Sequence, residues 1–306
     1  MSRLRGGKGS PFDPDLRRIA RILPRSTFGP RSLKLVRKLT DRQRRPAAGV
    51  EVHQLENCSV RVHAPPEAGT GRAGFLWIHG GGFVIGNAWQ DDALCREVSR
   101  RLGAVVAAVD YRLSPEFPFP IPLHDCHDAL VWLAHRSDVD ADRIAIGGAS
   151  AGGALAASLA LLARERREVR PVFQLLSYPL LDDRTVLRDD FDERYFRLWS
   201  TKTNRFGWES YLGVPGGSAG VDVLAAPARH PDLEGLPPAW IGVGTLDLLL
   251  DEARSYAERL RVAGVPCELV EVAGAFHGFD ALQQTPSIVR RYREAQLQAL
   301  AGALTN

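Results

Sequence analysis

Eight short runs of strand-like character, most of them separated by stretches of helical periodicity, set the tightest limit on what this chain can fold into. Residues 50–55 and 58–63 alternate in the manner of two paired strands, whereas 73–78 (AGFLWI) and 104–109 (AVVAAV) are continuous apolar runs. A continuous run suits a strand buried on both faces. Further runs follow at 143–147, 171–177, 239–243 and 267–272, with helical spacing at 91–102, 123–136, 151–166 and 251–263. This rhythm predicts an α/β fold with a mostly parallel sheet and helices on both faces. One stretch breaks it. Residues 183–225 are polar and aromatic, with Phe191, Tyr195, Phe196, Trp199, Trp208 and Tyr211, and contain no strand-like run. A long insertion between two sheet strands reads as a lid over a site.

A length of 306 residues accommodates one large α/β core. No 18 apolar residues run together, and the basic N-terminus lacks the apolar stretch of a signal peptide. No membrane insertion is expected, and a cytoplasmic location is. Cys58, Cys95, Cys126 and Cys267 show no metal-like spacing and read as buried free thiols. The net charge of +3 is unevenly spread, because the first 45 residues hold fourteen Arg or Lys against three Asp. Within them Leu16, Ile19, Ala20 and Leu23, then Leu33, Val36 and Leu39, recur at helical spacing. Such stripes predict amphipathic helices docked on the body, with their Arg residues solvated outside. No aromatic interleaving points to a nucleic-acid partner.

The chemistry begins at Gly148-Ala149-Ser150-Ala151-Gly152, between the strand-like run ending near Gly147 and the apolar helical stretch AGGALAASLALLAR. G-x-S-x-G in a strand–turn–helix setting is the pattern of a nucleophile elbow. Gly148 and Gly152 lack the side chains that would keep strand and helix apart at so sharp a turn. Directly after the run AGFLWI comes His79-Gly80-Gly81-Gly82. Consecutive glycines cost backbone entropy, but they let peptide N–H groups converge on a negative oxygen. Gly81 and Gly82, with Ala151, are the candidate oxyanion donors, and His79 is expected to order the loop.

A serine hydroxyl needs a base, and the base an orienting acid. Of the histidines, His277 lies in Gly274-Ala275-Phe276-His277-Gly278-Phe279, directly after the last apolar run. His53, His63, His124, His127 and His135 fall in early strands or a helix, away from the strand carboxyl ends where such sites assemble. Asp247 follows the run AWIGV in the same way. Asp251 and Glu252 are rivals within the next helix, where solvated or capping roles are expected.

Taken together, HGGGF (79–83), DYRLSPE (110–116), GASAGG (148–153), GTLDLLLDE (244–252) and HGF (277–279) resemble the hormone-sensitive lipase family of esterases. The resemblance spans about residues 50–285. It implies an α/β-hydrolase fold with an eight-stranded core at 49–182 and 226–306. A helical cap would be built from 1–48 and the insertion 183–225. It further implies a Ser150–His277–Asp247 triad, with Tyr111, Arg112 and Glu116 as scaffold behind the site. Pairing as a homodimer is a further expectation, since relatives often pair. Ala149 departs from the family, where many relatives carry Asp, Glu or Thr just before the nucleophile. The reaction expected is hydrolysis of a small carboxylic ester, of short to medium acyl length, without metal or organic cofactor. Activity should fall as acid protonates His277. The triad is agnostic about the leaving group, so amidase, deacetylase and lactonase activities stay open. A non-catalytic binding protein is disfavoured because His277 is present.

Overall fold

The computed structural model describes residues 10–40, 49–65, 67, 69–281 and 286–305. Its centre is one eight-stranded sheet: β1 (Glu51–Gln54), β2 (Ser59–His63), β3 (Arg72–Ile78), β4 (Val105–Asp110), β5 (Val139–Ala149), β6 (Phe173–Ser177), β7 (Ala239–Gly244) and β8 (Cys267–Val272). The spatial order is β1-β2-β4-β3-β5-β6-β7-β8. Only β2 runs against its neighbours, pairing antiparallel with both β1 and β4; the other contacts are parallel. All eight sequence runs become strands. The central ones are buried at consecutive residues, such as Phe75 to Ile78 and Val105 to Val109, so both faces of the sheet are covered.

The N-terminal segment supplies α1 (Arg17–Ile22) and α2 (Leu33–Thr40). The covering helices are α3 (Asp92–Leu102), α4 (Ile121–Ala134), α5 (Ala151–Arg166), α7 (Leu250–Val262) and α8 (Ser287–Leu304), with α6 (Thr201–Leu212) in the insertion. A bidentate pair between Arg101 and Glu294, at 2.7 and 3.0 Å, ties α3 to α8. Helix α5 is buried from Ala151 through Ala163, and its Ala/Leu composition combines helix propensity with apolarity on every side. It stops where Arg167 turns left-handed at φ +60°.

The expected cap segment 1–48 is described over 10–40; residues 1–9 and 41–48 lie outside the described residues. Leu16, Ala20 and Leu33 are buried as their stripes require, but Leu39 is exposed. The expectation that the Arg residues of this segment are solvated fails at Arg37. Its Nε donates to Val84 O at 2.7 Å, Nη2 to Ser114 O at 2.5 Å, and Nη1 to both Glu116 oxygens at 2.9 Å. Two carbonyls and a carboxylate on the core hold a guanidinium fork better than water does. Within 183–225 the chain makes short 3₁₀ turns and then α6, whose Ser200 N-cap accepts from Thr203 N at 3.3 Å. All four cysteines are free; Cys58, Cys95 and Cys126 are buried, while Cys267 is partly exposed at the edge strand. Among the described residues no helix is long and apolar enough to cross a membrane.

Candidate active site

Strand β5 delivers the chain to Ser150, whose φ of +57° and ψ of −119° lie where L-residues are strained. The turn holds that conformation through its backbone. Ser150 N donates to Ser177 O at 2.8 Å, and Ser150 O accepts from Ala154 N and Leu180 N at 3.1 and 3.2 Å. The flanking glycines are sterically required. A Cβ on Gly148 would stand 2.3 Å from Gly152 O, and one on Gly152 would stand 2.0 Å from Ile78 O. Ala149 contributes no polar side chain, and its carbonyl lies against Gly80, where a Cβ would approach to 2.8 Å.

The other two chemical groups arrive on loops after β7 and β8. Thr245 N donates to Val272 O at 3.0 Å, Leu246 N to Ala275 O at 2.9 Å, and Gly274 N to the Thr245 hydroxyl at 2.9 Å. These bonds lock the loops together and bring Asp247 to His277. Ser150 Oγ lies 2.9 Å from His277 Nε2, and His277 Nδ1 lies 2.8 Å from Asp247 Oδ2. The other carboxylate oxygen of Asp247 accepts from Leu249 N at 3.0 Å, which fixes the acid's orientation. All three residues are buried, at 5% (Ser150), 7% (His277) and 5% (Asp247) exposure, so the relay is nearly screened from bulk water. The three side chains picked out in the sequence therefore meet in one hydrogen-bonded line.

In the loop after β3, Gly81 and Gly82 take φ values of +132° and +59°. A Cβ on Gly81 would stand 1.9 Å from Ile85 O. Gly81 O accepts from both Val84 N and Ile85 N, at 3.1 and 3.0 Å. Among the described residues no acceptor receives the Gly81 or Gly82 N–H. Ala151 N opens α5, where a helix has no internal acceptor to offer. His79 is fully buried, stacks on Tyr111 at 4.2 Å between centroids, and donates from Nδ1 to Gly80 O at 2.8 Å. Burial holds its pKa below the usual imidazole range, which keeps it neutral. Tyr111 Oη donates to His79 O at 3.1 Å, and Arg112 forks onto the buried carboxylate of Asp125, with Nη2 at 2.7 Å.

Glu252 corrects its sequence reading. Instead of facing solvent it is buried, accepting from Leu181 N at 2.7 Å and from the Thr185 hydroxyl. Desolvation raises its pKa well above the carboxylate range. The reason is that the start of the insertion folds down over the first turn of α7. Asp251 is solvent-accessible and pairs with Arg188 at 2.9 Å. Tyr178 escaped the sequence reading. Its ring meets His277 edge-on at 5.0 Å, and its hydroxyl donates to Asp280 at 2.7 Å. Its only signal was a position one residue past a strand end.

A family model described as the alpha/beta hydrolase fold matches residues 75–281. Esterase LipI of Mycobacterium tuberculosis is 34% identical over 270 residues, which cover 86% of this chain and 80% of that protein. Among solved structures, a bacterial heroin esterase superposes with a TM-score of 0.87 at 36% identity, covering 96% of this chain and 98% of the other. Esterase LipW from Mycobacterium marinum does so with a TM-score of 0.86 at 35% identity, covering 97% of each chain. With these motifs, this strand order and these relatives, the chain belongs to the alpha/beta hydrolase fold family, among the esterases similar to hormone-sensitive lipase.

Proposed function

We propose that the protein is a serine carboxylesterase in which Ser150 is the nucleophile, His277 the general base and acid, and Asp247 its orienting partner. The observation that carries this reading is the continuous Ser150–His277–Asp247 hydrogen-bonded line, at 2.9 and 2.8 Å, with the serine on a strained elbow. His277 takes the Ser150 proton as Oγ attacks the ester carbonyl. The protonated imidazole then passes that proton to the leaving alcohol. Water hydrolyses the resulting acyl-enzyme by the same route. Gly81, Gly82 and Ala151 N–H groups receive the oxyanion; that they meet no acceptor among the described residues supports this role. Each such donor is worth about 3 kcal/mol in the transition state.

The segment 10–40 and the insertion 183–225 act as the cap over this site. Three contacts support that role: Phe12 against Phe276, and Phe28 and Trp199 against Gly82. The substrates are carboxylic esters of short to medium acyl length. The test is Ser150→Ala against p-nitrophenyl acetate. The variant should fold, with unchanged circular dichroism, and lose at least about 10⁴-fold in kcat. Retained turnover overturns the assignment.

A further inference from the structure

We propose that Trp199 is a specificity-determining residue that limits the acyl group of the substrate to a short chain. The proposal rests on the esterase reading above and goes beyond it by assigning one side chain to one part of the substrate. Trp199 bridges the two halves of the catalytic machinery. Its indole stacks on the His277 imidazole, with ring centroids 5.5 Å apart and planes at 30°. The edge of its six-membered ring lies against the oxyanion loop: a Cβ on Gly82 would stand 2.6 Å from Cη2 and 2.9 Å from Cζ3.

The ring is held in that place. Its Nε1 donates to Asn204 Oδ1 at 3.3 Å, and Phe28 packs edge-on at 6.0 Å. On its third side a Cβ on Gly207 would stand 3.3 Å from Cη2, and the residue is only 3% exposed. A clamped indole is a wall rather than a flap.

The chemistry says which substrate group meets that wall. The tetrahedral carbon carries four substituents. One is Ser150 Oγ, a second is the oxyanion directed to Gly81, Gly82 and Ala151, and a third is the leaving oxygen facing His277. The acyl chain is the fourth, and its alkyl part needs no polar partner. Between the oxyanion loop and the base the covering surface is indole with a phenyl ring beside it, which suits an alkyl chain. Because the ring touches both sides of the cleft, the depth left for that chain is small.

The experiment compares kcat/KM for p-nitrophenyl acetate, butyrate, hexanoate and octanoate in the wild type, Trp199→Phe and Trp199→Leu. Wild-type hydrolysis of the acetate checks the underlying reading before any variant is made. The octanoate-to-acetate ratio should rise about tenfold or more in Trp199→Leu and by less in Trp199→Phe, as a hydrophobic subsite is enlarged. A merely structural role would lower all four esters alike, and an unchanged ratio overturns the proposal. Should the variants not fold, wild-type inactivation by ethyl p-nitrophenyl methylphosphonate and octylphosphonate tests the short-chain limit that the proposal requires. The methyl compound should react about tenfold faster, and equal rates overturn the proposal.

Discussion

The loops that carry Ser150, Asp247 and His277 and the two segments proposed as their cap, 10–40 and 183–225, are fastened by different chemistry. The loops are fastened by backbone. Gly148, Gly152, Gly80 and Gly81 each stand where a Cβ would approach a carbonyl oxygen to 2.8 Å or less, and peptide bonds such as Ser150 N to Ser177 O fix the turns. The cap is fastened chiefly by side chains. Arg37 reaches Val84 O, Ser114 O and Glu116, Arg197 reaches Ala20 O, and Phe12 sits edge-on to both Phe276 and Tyr195. Backbone packing has almost no tolerance, because a carbonyl cannot rotate away from an intruding atom. Side-chain fastening is graded, since each contact can be weakened alone. Substitutions in the loops should therefore act as switches, and those in the cap as dials.

The strongest challenge to that contrast is Gly152→Ala. One added methyl would press on Ile78 O and His79 O, at 2.0 and 2.5 Å, with no flexible neighbour to yield. The expected cost is about 3 kcal/mol or more, read as a melting temperature about 10 °C lower or as loss of soluble protein. A variant that melts with the wild type would show that the elbow has slack. Asp247→Asn comes next. The amide can still accept from Leu249 N, but it offers His277 the wrong hydrogen-bonding group and so the wrong tautomer. A fall of about 10⁴-fold in kcat is expected with the fold intact. A loss under tenfold would mean that His277 is oriented by something other than this carboxylate.

The same contrast explains what could be read in advance. Strands β3 to β7 were legible because burial on both faces demands mostly apolar runs, and β8 as a short run that closes the sheet at its edge with no fully buried residue. The Ser150–His277–Asp247 line was legible because each member follows such a run. The front of β5 was missed: Val139–Asp142 is polar yet extended, where Arg72 pairs with Val139 beside a register shift. Helix α6 was missed because TKTNRFGWESYL is a poor helix former with a glycine inside it. Its Trp208 and Tyr211 are buried against Phe83, which no local pattern announces. Helix α8 was also missed; its buried stripe is interrupted by Gln296, which donates to Ser177 Oγ at 2.7 Å. Trp199 was visible as one of seven aromatics in the insertion, but nothing in the sequence singled it out. Its role depends on where a side-chain-fastened cap comes to rest.

Two cap substitutions test whether the dial is real. Arg37→Ala removes the fork that ties α2 to the loop after β3 and leaves Val84 O and Ser114 O without that donor. Hydrogen bonds to a charged group are worth about 1.5–3 kcal/mol, so a fall of about tenfold in kcat/KM with a lower melting temperature is expected. A loss as large as that of Asp247→Asn would erase the distinction between cap and loops.

Phe12→Leu should act least. Phe12 meets Phe276, the neighbour of His277, at 6.1 Å and Tyr195 at 5.9 Å, with the Arg197 guanidinium 4.9 Å above its ring. Leucine keeps most of the buried volume and forfeits the aromatic edges, worth about 1 kcal/mol. The backbone bond from Asp13 N to Gly274 O, at 3.0 Å, remains to hold the segment beside the His277 loop. A change of about threefold in kcat/KM follows if the cap steadies that loop from outside. A hundredfold loss would place Phe12 among the parts that set His277, and the cap would then share the loops' intolerance.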